Sequence, residues 1–122
     1  MRDKLFALLS SDEAKKSQIA QVNAQMDQIG IGHKLTGRKY IVEYILMKMD
    51  GHMTGISAIA KMYGKTDASV ERAMQYAINA AWRIGNIGDL KQIYTARISS
   101  EKGVPTLTEF ICYYANKLKN AY

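Results

Sequence analysis

A single proline in 122 residues, Pro105, is the strongest constraint on what this chain folds into. Proline removes a backbone donor and clashes with the preceding turn, so it ends helices and is confined to sheet edges. Ahead of Pro105 only glycines punctuate the sequence, and apolar residues recur there at three- and four-residue steps. Ile19, Val22, Met26 and Ile29 mark one helical face that stops at Gly30-Ile31-Gly32. A second helix is predicted over 36–49, with Tyr40, Ile41, Tyr44 and Ile45 inward and Arg38, Lys39 and Glu43 outward, ending at Asp50-Gly51. Ile56, Ile59, Ala60 and Tyr63 form a short amphipathic helix closed by Gly64. Val70, Ala73, Met74, Ala77, Ile78 and Ala81 then give one face of a longer helix, with Trp82 at its end. Residues 88–94 suit another short helix and 97–104 a polar loop. Behind Pro105, Thr106 and Glu109 have the spacing of a capping box, followed by an inward face of Phe110, Ile111, Tyr114 and Leu118. Ser10 and Glu13 share that spacing and predict a helix start, leaving residues 3–9 as a separate turn or two carrying Leu5, Phe6, Leu8 and Leu9. The expected fold is all-α: a compact five- to six-helix domain over 19–122, with 1–18 as an N-terminal extension and the start of the first helix.

Composition removes several function classes. Apolar residues make up 48% and charged residues 23%, enough for a single core and too apolar for wholesale disorder. Cys112 is alone, so no intrachain disulfide forms and a reducing compartment is expected. Its neighbours Phe110, Ile111, Tyr113 and Tyr114 make it a structural thiol. His33 and His52 lie far from it in sequence, which argues against a nucleophile–base pair and against a zinc site. No paired acids in a glycine-marked pocket and no phosphate loop occur, so neither an enzyme nor a cofactor or metal is expected. No window approaches ~18 consecutive apolar residues, so no membrane span is expected and the cytoplasm is the expected location.

The segment from Ile56 to Val70 carries the functional signal. Two short helices that cross steeply need a small residue at the contact and one tolerating φ > 0 in the turn. Counting from Ile56, Ala60 is fifth, Gly64 ninth in the turn and Val70 fifteenth on the second helix, with Ile59 and Tyr63 completing a small core. That is the pattern of a helix-turn-helix, and it predicts that Thr66 or Asp67 caps the second helix. The charge distribution agrees: six lysines and arginines against two acids between 33 and 65 contribute +4 of the net +6, while 1–32 sum to zero. Such a segment beside a recognition helix suits phosphate contacts. Lys61, Lys65, Thr66 and Tyr76 are the candidate phosphate contacts. Off the apolar stripe, Ser69, Glu71, Arg72 and Gln75 are the candidate base contacts: arginine bonds guanine bidentately, glutamine adenine, and glutamate accepts from cytosine. The bland reading of Glu71 and Arg72 is a surface ion pair.

At these residues the chain resembles a known family. Ile59-Ala60-Lys61, Val70-Glu71-Arg72-Ala73, Ala77-Ile78, Ala81-Trp82 and Gly85-Asn86-Ile87 are similar to the effector domain of the stage-0 sporulation response regulator. Gly37 and Tyr40 upstream, and Pro105-Thr106, Glu109-Phe110-Ile111, Ala115 and Lys117-Leu118 downstream, extend the similarity over roughly 19–119. The resemblance implies a six-helix, DNA-binding transcription regulator whose third and fourth helices form the helix-turn-helix. It also implies tandem operator boxes bound by a homodimer, and contact with an RNA polymerase sigma factor. Glu71 and Arg72 match positions that contact bases in the family. Ser69 stands where the family typically has arginine, and Gln75-Tyr76 where it has Arg-His. The stretch after Asn86 is shorter than the family's, in the region that touches sigma factor. Residues 1–18 are too few for the receiver domain that precedes this domain in the family, so the expectation is either an excised fragment or a stand-alone relative without a phosphorylation switch, with Met1 and the unfamiliar first helix favouring the second. The alternative is a protein-interaction module of the same fold, its eight tyrosines and seven methionines supplying an adaptable apolar surface.

Overall fold

The structure, a computed structural model, describes residues 2–51 and 55–120, with side chains from residue 13 onward. Within these residues the chain forms α1 (Arg2–Ile29), α2 (Thr36–Met49), α3 (Gly55–Tyr63), α4 (Asp67–Ile84), α5 (Ile87–Ile93) and α6 (Leu107–Asn120), and no strand. The architecture is all-α, as the three- and four-residue apolar periodicity predicts.

One boundary differs from the sequence reading. Helix α1 runs unbroken through Ser10 and Glu13, so their capping-box spacing marks no helix start. A cap requires the chain to leave helical dihedrals. Residues 2–29 contain neither glycine nor proline to make it do so. The side chains of Leu5, Phe6, Leu8 and Leu9 lie outside those described.

Helix α2 is the hub, packing against α1, α3, α4 and α6. It reaches α4 most closely at Gly37, where an added Cβ would overlap the Ala73 carbonyl oxygen and come within 2.7 Å of its carbon. Tyr40, Ile41 and Ile45 of α2, Met74 and Ile78 of α4, and Phe110, Ile111 and Tyr114 of α6 are all buried around that crossing. Each such side chain contributes about 1.5–3 kcal/mol by leaving water. Val22 and Met26 of α1 complete the core, whereas Ile19, expected on the same face, is 39% exposed.

Arg38, expected on the solvent side of α2, is instead buried. Its guanidinium donates to the carbonyls of Ile31 and Asn23, the Asn23 side-chain oxygen and the Asp27 carboxylate. The Ile31 carbonyl lies just past the end of α1, outside the helix's own hydrogen-bond ladder, and needs a partner when buried. A planar group with five N–H bonds serves the end of α1 and the following turn together. The hydrogen bond from Arg38, reinforced by its charge, holds the Asp27 carboxyl below the ordinary carboxylate range.

The other end of the bundle is closed by α6. Thr106 N–H donates to Glu109 Oε1 at 3.0 Å and Glu109 N–H to Thr106 Oγ1 at 3.3 Å, the reciprocal capping box read from the sequence. Trp82 meets Tyr94 edge-on at 5.3 Å, and Tyr94 stacks on Phe110, so aromatic contacts join α4, the end of α5 and α6.

Candidate nucleic-acid interface

The turn between α3 and α4 is built by the residues that the spacing singled out. Gly64 has φ +64°, and its N–H donates to Lys61 O while Lys65 N–H donates to Ala60 O. This is a Schellman motif, which satisfies the last carbonyls of α3 and needs a residue at ease in the left-handed region. Ile59, Ala60 and Val70 are buried where the two helices meet. Tyr63 packs edge-on against Tyr40 at 5.1 Å, which ties the turn to α2. Lys39 lies 4.7 Å above the Tyr63 ring.

Thr66 is the N-cap of α4. Its backbone is extended (φ −85°, ψ 156°) and its hydroxyl oxygen accepts from Ser69 N–H at 3.1 Å. Thr66 keeps a hydroxyl proton to donate outward. Across the turn, Ser57 Oγ donates to Asp67 Oδ2 at 2.7 Å, bracing the first turn of α4 on α3. No local sequence pattern announces the Ser57 brace, because its partner lies ten residues away.

With the buried stripe of α4 turned inward, its opposite face carries Ala68, Glu71, Arg72, Tyr76, Asn79 and Arg83, all exposed. Glu71 and Arg72 stand free. Among the described residues both ion pairs fall on Asp27, so the two do not pair with each other or with anything else described. Successive helical residues point about 100° apart, which keeps their charged ends separated. Tyr76 is 57% exposed, and Ser69 is half-buried. Lys61 and Lys65 come together along one shallow groove between α3 and the start of α4, which Ser57 and Asp67 also line.

Gln75 is differently placed. Its side-chain carbonyl accepts from Leu107 N–H at 2.9 Å, and its amide donates to Pro105 O at 3.2 Å and Asn79 Oδ1 at 3.0 Å. Both ends of the amide are used, and the residue is half-buried. Gln75 thus joins the middle of α4 to the start of α6. Its partners are 30 and 32 residues away in sequence, and no local signal announces them.

The chain matches the family described as "Sporulation initiation factor Spo0A C terminal" over residues 22–118. It belongs to that family. The match covers α2 through α5 whole, with all of α6 but its last two residues and the part of α1 that packs on the core. This is a DNA-binding regulatory family and not one of enzymes, so double-stranded DNA is the partner that membership assigns. Among the described residues no helix is long and apolar enough to cross a membrane.

Proposed function

We propose that the chain is a sequence-specific regulator of transcription that lays α4 in the major groove of duplex DNA. Arg72 bonds a guanine edge and Glu71 accepts from a cytosine amino group, with Ser69 beside them in the first turns of the helix, where base edges are reached most readily. Lys61, Lys65, Thr66 and Tyr76 hold flanking phosphates and set the register. One observation carries this reading: Arg72 is exposed and unpaired on a helix that the Schellman turn, the Thr66 cap and the Ser57 brace fix in place. Gln75, a base-contact candidate by sequence, serves in this reading as a positioning residue, because its amide already holds α6. Ser69, Gln75 and Tyr76, standing where the family typically has cations, predict an operator related to the family's box but not read identically. A second copy on tandem boxes and an RNA polymerase sigma factor are the protein partners, and the cytoplasm is the place of action.

The test is fluorescence anisotropy with a duplex carrying the family's box beside a scrambled duplex, at low and physiological salt. Arg72→Ala removes a bidentate contact worth about 1–3 kcal/mol and erases the preference between the duplexes. Lys65→Ala weakens both duplexes alike and lowers the slope of log affinity against log salt by about 1. Equal losses on both duplexes for Arg72→Ala refute the base-reading assignment. Absence of salt-dependent binding to either duplex refutes DNA reading altogether and favours the protein-interaction module.

A further inference from the structure

Beyond the first turns of α4, the C-terminal half of that helix, helix α5 and the loop ahead of α6 line a cavity of about 420 Å³, with Asn79 and Arg83 at its α4 edge. Volumes of this order are typical of small-molecule sites. Trp82, Leu90 and Val104 make its wall apolar, and Tyr94 joins them with a buried hydroxyl that has no hydrogen-bond partner. Arg83, Lys91 and Lys102 stand around it from three separate elements, and all three are exposed. Among the described residues no carboxylate lines the cavity and none of the three cations is in an ion pair.

An apolar chamber ringed by uncompensated positive charge selects one kind of occupant. We infer that this cavity binds a small amphipathic organic anion, a hydrocarbon or aromatic body bearing one carboxylate or phosphate. The body displaces water from Trp82, Leu90 and Val104, and the acidic head meets Arg83, Lys91 and Lys102. The opposite polarity, a cationic amphiphile, meets like charge on three sides. An uncharged body gains the apolar contact alone. Exposed ion pairs each contribute a fraction of a tenfold factor, so three together give the anion about a tenfold advantage over its neutral counterpart.

The cavity contains its own reporter, because Trp82 is the only tryptophan in the chain. The full chain is titrated with decanoate, decanol and decyltrimethylammonium, following emission excited at the red edge of absorption, where the eight tyrosines contribute little. Decanoate is expected to give a saturable shift of Trp82 emission at about tenfold lower concentration than decanol, with the cationic amphiphile weakest. Val104→Phe, which narrows the chamber, raises the decanoate midpoint several-fold while helical circular dichroism is retained. Should that variant fail to fold, Lys91→Gln/Lys102→Gln, both at exposed positions, decides: it brings the decanoate midpoint close to that of decanol. No saturable shift with decanoate, equal midpoints for decanoate and decanol, or unchanged decanoate binding by folded Val104→Phe overturns the inference. None of these readouts involves DNA, so they stand or fall apart from the DNA-reading proposal.

Discussion

The Gly37→Ala substitution measures how closely the hub helix α2 must approach α4. A methyl group there overlaps the Ala73 carbonyl oxygen and lies 2.7 Å from its carbon and 3.1 Å from Ala77 Cβ. Ordinary carbon contacts are at about 3.5–4.0 Å, so α2 and α4 must separate by roughly 1 Å. The closest atoms are backbone, which no change of rotamer can move. Overpacking with no soft neighbour costs about 3 kcal/mol, the upper part of the usual range. Replacing a helical glycine by alanine returns at most about 1 kcal/mol. The net is about 2 kcal/mol of destabilisation, which for a domain of this size lowers Tm by roughly 8 °C. Gly32→Ala is the control, because a Cβ there finds only the Leu35 side chain, at 3.8 Å or more. Thermal unfolding of both variants by circular dichroism is the assay. Trimming Ala77 to glycine in the Gly37→Ala background recovers little, since the backbone overlap at Ala73 remains. A Gly37→Ala protein as stable as the parent, or one rescued fully by Ala77→Gly, refutes the reasoning.

Three further substitutions separate stability from DNA reading. Gln75→Ala leaves Leu107 N–H and Pro105 O without their partners and costs about 1–3 kcal/mol in a urea melt, while the preference for box over scrambled duplex persists. Arg38→Met strips the end of α1 of its buried donors and costs about 3 kcal/mol by the same measurement, since the carbonyls of Asn23 and Ile31 lose a charged partner. Asp27 supplies the pH dependence. Its carboxyl is held low in the folded protein, so its contribution is present above the ordinary carboxylate range and is lost as pH falls through its folded value. Asp27→Asn is therefore less stable than the parent near neutrality and converges with it in acid, as parallel melts across pH would show.

What could be read from the sequence divides along a physical line. Helix α2, the Gly64 turn, the Thr66 cap and the Thr106–Glu109 box were all legible, because each is a local device whose partners lie within a few residues. The buried stripe of α4 was legible for the same reason, being a matter of period alone. Arg38 was misplaced because periodicity counts charge as outward, and only the folded chain shows which carbonyls need a donor. Ser10 and Glu13 misled in the opposite sense, since a capping box is a pair of bonds and not a spacing. Within the candidate interface, exposure of Glu71 and Arg72 follows from the stripe, whereas the engagement of Gln75 depends on a loop 30 residues further on.

Gln75 also bears on how DNA reading is organised along α4. A residue one turn beyond Glu71 and Arg72 occupies the same general side of the helix, and by type it is a good reader of adenine. Here it anchors the start of α6, and its amide also bonds Asn79 on the next turn of α4. To reach a base, Gln75 would have to release Leu107 N–H and Pro105 O, and that loss offsets most of what one base contact contributes. On the proposed reading, base contacts on α4 are therefore confined to its first turns, around Ser69, Glu71 and Arg72, while Gln75 in the middle of the helix holds the start of α6. A chain that kept a cation at position 75 would have the opposite arrangement, with a longer reading face and a weaker joint to α6. On that argument Gln75→Arg trades stability for affinity: Tm falls while binding to box and scrambled duplex rises together and becomes more salt-dependent. A Gln75→Arg protein that keeps the parent's Tm would show that the amide bonds to Pro105 and Leu107 do not hold α6 in place.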